Sequence, residues 1–119
     1  MVDCAFCKIV CREAPATIIF ESASSLGIVP LEPVAKGHAL LIPKEHFENI
    51  FDIGKSDLEQ LAVDAKSLSR ELAAEKHATG INLLHASGKD AQQSVPHFHF
   101  HIVPRYPDDD LDLWIKNRL

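Results

Sequence analysis

Three histidines stand at every second position, His97, His99 and His101, with Phe98, Phe100 and Ile102 between and after them. Period-two alternation of this kind reads as a half-buried strand. Alternate side chains leave a strand on opposite faces. One face therefore carries three imidazoles, and the other sends two phenylalanines and an isoleucine into a core. Successive imidazoles on one face lie about 6.6–6.8 Å apart along the backbone, close enough to share a substrate, a proton or a metal. A solvated strand face is more simply made from Lys, Glu or Thr, so the pattern points to a reactive site.

A second group of metal-capable side chains is at the other end of the chain. The three cysteines, Cys4, Cys7 and Cys11, form an odd, clustered set that makes no disulfide framework. Cys4-Ala-Phe-Cys7 suggests half of a metal site. A thioredoxin-type pair would need a strand before it, and only residues 1–3 precede Cys4. The plainer reading is that both are small buried apolar residues, and Cys11, with no partner assigned, is expected to be one.

The elements that must position these groups follow from the pattern. Phe6, Ile9 and Val10 give helical spacing over residues 4–12, broken by Ala14-Pro15-Ala16. Residues 17–21 and 26–29 read as strands separated by a serine-rich turn. Residues 38–43 read as a third strand that ends in Lys44-Glu45-His46. Ser56-Asp57-Leu58-Glu59 is a capping box opening a long helix. Its apolar stripe runs through Leu58, Leu61, Ala62, Ala65, Leu68, Leu72 and Ala73, and Glu59, Asp64, Lys66, Arg70 and Glu71 form its solvated face. Residues 80–85 and 97–103 are the remaining strands, joined by a polar loop and compatible with antiparallel neighbours. His38 and His85 are read as structural, and His77 as solvated or as a C-terminal cap. The fold class is α+β, an antiparallel sheet with one long helix packed on it.

The 119 residues suit a single domain spanning 1–119 with a C-terminal tail from about 107. Hydrophobic content of 46% allows one sizeable core. A formal charge of −5 argues against a general nucleic-acid backbone binder, although a small nucleotide needs only a local pocket. No apolar run approaches the ~20 residues of a membrane span. No basic-then-apolar signal opens the chain. A cytoplasmic protein without membrane partners is the expectation.

His97-Phe98-His99-Phe100-His101-Ile102-Val103, preceded by Gln93 and Val95, meets the signature of the histidine triad (HIT) family of nucleotide-binding proteins. The resemblance continues through Phe6-Cys7-Lys8-Ile9, Ala16-Thr17-Ile18-Ile19-Phe20-Glu21 and Gly37-His38-Ala39-Leu40-Leu41-Ile42-Pro43-Lys44-Glu45-His46. It implies the family's fold, an antiparallel five-stranded sheet with one long helix and a short N-terminal helix. It also implies transfer or hydrolysis at the α-phosphate of a purine nucleotide, commonly in a homodimer. Phosphoramidates, aminoacyl-adenylates and dinucleoside polyphosphates are the substrate types. By position, His99 would take the nucleotidyl group, and His101 would bind phosphate and help position or protonate the leaving group. Ser94 and the backbone near Gln93 would contact phosphate, and Phe6, Ile9, Ile28 and Leu31 would line the base and ribose pocket.

The chemistry is consistent. A neutral imidazole is a good nucleophile near pH 7, and its labile adduct turns one hard displacement into two easier ones. Neighbouring imidazoles that are cationic near neutral pH can donate to phosphoryl oxygens or a leaving nitrogen. The nucleophile's second nitrogen must be held, and a backbone carbonyl within the loop is the expected holder. Two positions depart from the family. Pro30 stands where an acidic residue often contacts the ribose hydroxyls. Ala86 stands where many members carry an Asn or Gln amide.

Cys4 and Cys7 with His46 and His97 resemble the zinc site of the bacterial branch of the family. That set implies one closed, structural zinc per chain, with His97 as a positioning residue. Two other functions remain open on sequence. One is a metallohydrolase using two or three of His97, His99 and His101 as ligands of a metal that activates water. The other is a slow or non-catalytic nucleotide sensor or scaffold.

Overall fold

The computed structural model describes residues 3–116. Its elements in chain order are α1 (Ala5–Val10), β1 (Ile18–Glu21), β2 (Ser25–Ile28), β3 (Ala39–Pro43), α2 (Lys55–Lys76), β4 (Gly80–Leu84) and β5 (Phe100–Arg105). The strands form one antiparallel sheet in the order β1-β2-β3-β5-β4. β5, which continues the histidine run, is therefore an inner strand between β3 and β4.

Both faces of the sheet's centre are covered, so β3 is buried at all of its positions. Ala39 and Leu41 from β3 and Phe98 and Ile102 from the histidine run pack with Leu61, Ala65, Leu68 and Leu72 of α2. Leu40 and Ile42 point the other way and join Leu26, Ile28, Phe6, Cys4 and Cys7 beneath α1. Each such Leu or Ile contributes about 1.5–3 kcal/mol on burial, so these two clusters hold the sheet between its helices. A Cβ at Gly27 would lie 2.9 Å from Leu68 Cδ2 and 2.9 Å from the Cβ of Phe20, so a glycine is what lets α2 approach β2. Among the described residues no helix is long and apolar enough to cross a membrane.

Four expectations need correction. The long helix does not start at a Ser56 capping box. Gly54, two residues earlier, is the N-cap, and Leu58 N–H donates to Gly54 O at 2.9 Å; Glu59 is exposed. Asp64 is not on the solvated face but buried, while Ala62 is exposed. It lies three residues after Leu61 and four before Leu68, on the flank of the stripe that meets the β1–β2 turn. There Ser25 Oγ (2.7 Å), Ser22 Oγ (2.8 Å) and Gln60 Nε2 (3.1 Å) donate to its carboxylate. Cys11 is exposed, because it lies beyond Val10, the last residue of α1. Ladder pairing of the histidine run begins at Phe100, so His97 and His99 precede β5, with His97 in a bend, rather than lying within the strand. His77 caps α2 in the left-handed region (φ 60°) and is exposed.

Candidate metal centre and histidine site

The N-terminal cluster is assembled from three segments. Cys4 is the N-cap of α1, its Sγ accepting Cys7 N–H at 3.4 Å, so both thiols sit at the start of the helix. His46 comes from the loop after β3, and His97 from the approach to β5. His97 Nε2–H donates to Pro43 O at 2.9 Å, which leaves its Nδ1 lone pair facing the thiols. The separations are 3.4 Å from His97 Nδ1 to Cys4 Sγ, 3.6 Å to Cys7 Sγ, 3.2 Å to His46 Nδ1, and 3.3 Å from His46 Nδ1 to Cys7 Sγ. Tetrahedral zinc with bonds of about 2.3 Å to sulfur and 2.0–2.1 Å to nitrogen has ligand–ligand edges of roughly 3.3–3.8 Å. The four separations, at 3.2–3.6 Å, lie at or close to those values, and all four atoms are within 4.8 Å of one another. Burial, helped by the adjacent Cys4 thiol, pushes Cys7 up to about 11, and burial pushes His97 down to about 4. The Cys7 thiol and the His97 imidazole are thus neutral near pH 7 in the free site, and a divalent cation would take the place of a thiol proton.

The second and third imidazoles are held differently. His99 Nδ1–H donates to His97 O at 2.9 Å, so its Nε2 carries the lone pair. The edge of Phe6 meets the His99 ring at 5.3 Å between centroids. For His101 the partner is His38. Val34 N–H donates to His38 Nδ1 at 3.1 Å, so His38 bears its proton on Nε2. That Nε2–H donates to His101 Nδ1 at 3.1 Å, which leaves His101 with a proton on its own Nε2. The ring centroids of His99 and His101 are 5.1 Å apart. A nitrogen lone pair and an N–H donor are thus set side by side on one face.

The expectation of cationic neighbours is not met in the free chain. Burial holds His38 and His99 below the usual imidazole range and pushes His101 down to about 4, with the neighbouring imidazoles adding to the effect. His101 is therefore a neutral hydrogen-bond donor near pH 7.

The residues expected to meet substrate are spread over several environments. Phe6 and Ile28 are buried together beneath α1 with Ile9 packed against them. Ile9 also lines a cleft of about 410 Å³ with Arg12, Ala14, Pro15 and Ile18. Leu31 is fully exposed, and Ser94 is exposed. The Gln93 side chain braces the loop itself. Its Oε1 accepts Gly88 N–H at 2.7 Å, and its Nε2 donates to Glu48 O at 2.6 Å and Val95 O at 3.0 Å. His38 and His85, read as structural from sequence, both bond to the triad strand. The alternation within 97–101 carries no sign of either, since both contacts are long-range. The pairing Leu40↔His101, which brings His38 to His101, is visible only once β3 and β5 are in register.

The HIT domain pattern matches residues 11–108. The chain belongs to the HIT family. It is 35% identical over 108 residues to the protein named Protein hit of Bacillus subtilis, covering 91% of this chain and 74% of that one. An adenosine 5'-monophosphoramidase of Schizosaccharomyces pombe is 33% identical over 114 residues, covering 96% of this chain and 82% of its own. A zinc-bound histidine triad family protein from Mycobacterium smegmatis superposes with a TM-score of 0.89 at 35% identity, over 98% of this chain and 84% of that one. The sheet, the long helix and the short N-terminal helix described above are the HIT fold.

Proposed function

We propose that this HIT protein is a purine nucleotide hydrolase that cleaves at the α-phosphate of a nucleoside phosphoramidate or dinucleoside polyphosphate. The reaction passes through a nucleotidyl-histidine on His99. The observation that carries this reading is the bond from His99 Nδ1–H to His97 O, which leaves the lone pair on Nε2. In the first half-reaction Nε2 attacks phosphorus, a P–Nε2 bond forms, and the bond to the leaving amine or phosphate breaks. His101 Nε2–H, its tautomer set by His38, hydrogen-bonds to a phosphoryl oxygen or to the leaving group, which takes up a proton from solvent as it departs. In the second, water forms a P–O bond and releases a proton to solvent, the P–Nε2 bond breaks with its electron pair returning to Nε2, and His99 keeps its Nδ1–H throughout. Phe6, Ile9, Ile28 and Leu31 are proposed to meet base and ribose, and Gln93 and Ser94 the phosphate side. The phosphoramidase activity of the fission-yeast relative supports the reaction class.

Zinc is the proposed occupant of the Cys4, Cys7, His46 and His97 cage. It would be structural, because four protein donors complete a tetrahedron. The zinc-bound relative supports this choice. The cage takes His97 and neither His99 nor His101, which favours covalent catalysis over a metal-bound water. A homodimer is proposed from family membership and from exposed Trp114 and Ile115 in the tail. The single domain over 1–119 and a cytoplasmic location are proposed with it.

The test is mass spectrometry of acid-quenched protein during turnover of a nucleoside phosphoramidate. A mass gain of one nucleotidyl group on the peptide carrying His99, absent in His99→Ala, is the expected result. A folded His99→Ala protein that turns over at near-normal rate refutes the covalent mechanism.

A further inference from the structure

The backbone ladder between β4 and β5 runs from Gly80–Arg105 to Leu84–His101 and stops there. Beyond it the chain leaves β4 for the loop, yet the carbonyl of His99 lies two residues further along the other strand. The ring of His85 takes that carbonyl, with Nδ1 2.9 Å from His99 O. A carbonyl only accepts, so Nδ1 carries the proton and Nε2 the lone pair. Ser87 Oγ–H donates to that lone pair at 2.5 Å, and the same hydroxyl accepts Ile50 N–H at 2.9 Å. The ring is stacked on Phe98, with centroids 4.2 Å apart and planes at 24°, and stands edge-on to Phe100. The backbone of Phe98 is held as well, since its N–H donates to Phe47 O at 2.6 Å.

These contacts enclose one short piece of backbone. It begins at His97 O, the acceptor that sets the His99 tautomer, passes through Phe98, and ends at His99 O. Rotation of the peptide after His99 would move the imidazole relative to His97 O. We propose that His85, braced by Ser87, is a positioning residue for the reaction at His99. It anchors the peptide that carries the nucleophile and ties that peptide, through Ser87 and Ile50, to the loop that presents His46. The proposal rests on the reading of His99 as nucleophile. It adds a donor whose place is set by the end of the ladder rather than by the triad.

The experiment compares His85→Leu, His85→Asn and Ser87→Ala in the full-length chain with metal bound, using a nucleoside phosphoramidate with a chromogenic amine. Leucine keeps bulk against Phe98 and removes the donor. Asparagine places an amide N–H near the position of Nδ1. His85→Leu is expected to lower kcat about 10–100-fold with KM within about threefold, in line with the hundredfold cost of misplacing a reacting group by ~1 Å. His85→Asn should recover at least a tenth of wild-type kcat. Ser87→Ala, which keeps the ring but frees its far side, should lose about threefold or more. Nitrogen-15 spectra of the histidines should show the Nδ1–H form of His99 in wild type and His85→Asn, and a mixture of tautomers in His85→Leu.

A His85→Leu protein with kcat within twofold of wild type overturns the proposal. So does an Asn variant no better than Leu at equal melting temperature, which would leave packing alone. If His85→Leu does not fold, Ser87→Ala decides, and unchanged kcat there overturns it. An active His99→Ala protein would instead refute the nucleophile assignment. The tautomer spectra still read the anchor in that case, and a His99 signature unchanged in His85→Leu overturns the anchor.

Discussion

Replacing Cys4 with serine separates metal binding from catalysis. Cys4 Sγ has two roles: it points into the four-ligand cage, and it accepts Cys7 N–H as the N-cap of α1. Serine is among the best N-cap residues, so Cys4→Ser keeps the cap and removes one metal bond. A ligand that binds only the folded state stabilises it by RT ln(1 + [L]/Kd), so each hundredfold loss of metal affinity removes about 2.7 kcal/mol. With about 2.1 cal/mol/K of unfolding entropy per residue, the 119-residue chain loses roughly 10 °C in melting temperature per such step. Differential scanning calorimetry with and without chelator is the assay, paired with metal analysis of the purified proteins. Wild type should contain one zinc per chain and drop by about 10 °C or more when chelated. Cys4→Ser should melt low in both conditions, and His99→Ala should behave as wild type. A Cys4→Ser protein that keeps its zinc and its chelator response, beside a His99→Ala protein that loses both, places the metal at the reaction centre and refutes the structural assignment.

Other consequences are open to measurement. His101 is pushed down to about 4 from an ordinary 6.5, chiefly by burial. The folded state therefore binds fewer protons than the unfolded state between those values, and stability should fall as pH drops from about 6.5 toward 4. The melting temperature of metal-free protein should be lower at pH 4.5 than at pH 7, with a smaller difference in His101→Asn; a flat profile would contradict the burial argument. Asp64→Ala leaves the buried Ser25 hydroxyl and its neighbour Ser22 without their acceptor, which should cost about 2–3 kcal/mol and leave kcat intact. Urea denaturation reads the loss, and a change under about 0.5 kcal/mol would show that the two serines satisfy one another. His38→Leu removes the donor that sets the His101 tautomer and should lower kcat about tenfold or more with little change in KM. Steady-state kinetics showing only a KM effect would assign His38 to ground-state binding.

The sequence-based reading succeeded where a local period determines the outcome. Alternation through 97–102 places Phe98 and Ile102 against α2 and the imidazoles on the other side, as the packing shows. It failed where a long-range contact decides. Asp64 reads as surface on a helical wheel, because the hydroxyls that make its burial tolerable come from a turn some forty positions earlier. Gly54 displaced the Ser56 cap because the chain is already extended there, at φ −69° and ψ 152°, and its carbonyl is in place for the first helical bond. The contacts of His38 and His85 are hidden in the sequence for the same reason. A histidine's partners across a sheet follow from strand register, and register is not written in either strand alone.

The three triad imidazoles are chemically identical, and the structure differentiates them by what holds the opposite nitrogen. His97 gives its Nε2–H to Pro43 O, which turns the Nδ1 lone pair inward toward two thiols and a second imidazole. His99 gives its Nδ1–H to His97 O, which leaves the lone pair on Nε2. His101 receives a proton bond at Nδ1 from His38, so its Nε2 keeps the hydrogen. A metal donor, a nucleophile and a hydrogen-bond donor are the roles those three lone-pair placements favour. Burial keeps the imidazoles neutral near pH 7, where a tautomer rather than a charge distinguishes one ring from the next. Backbone carbonyls and one further histidine thus set the tautomers on which the proposed roles rest, and for that reason substitutions at His38 and His85 are expected to alter rate before they alter affinity.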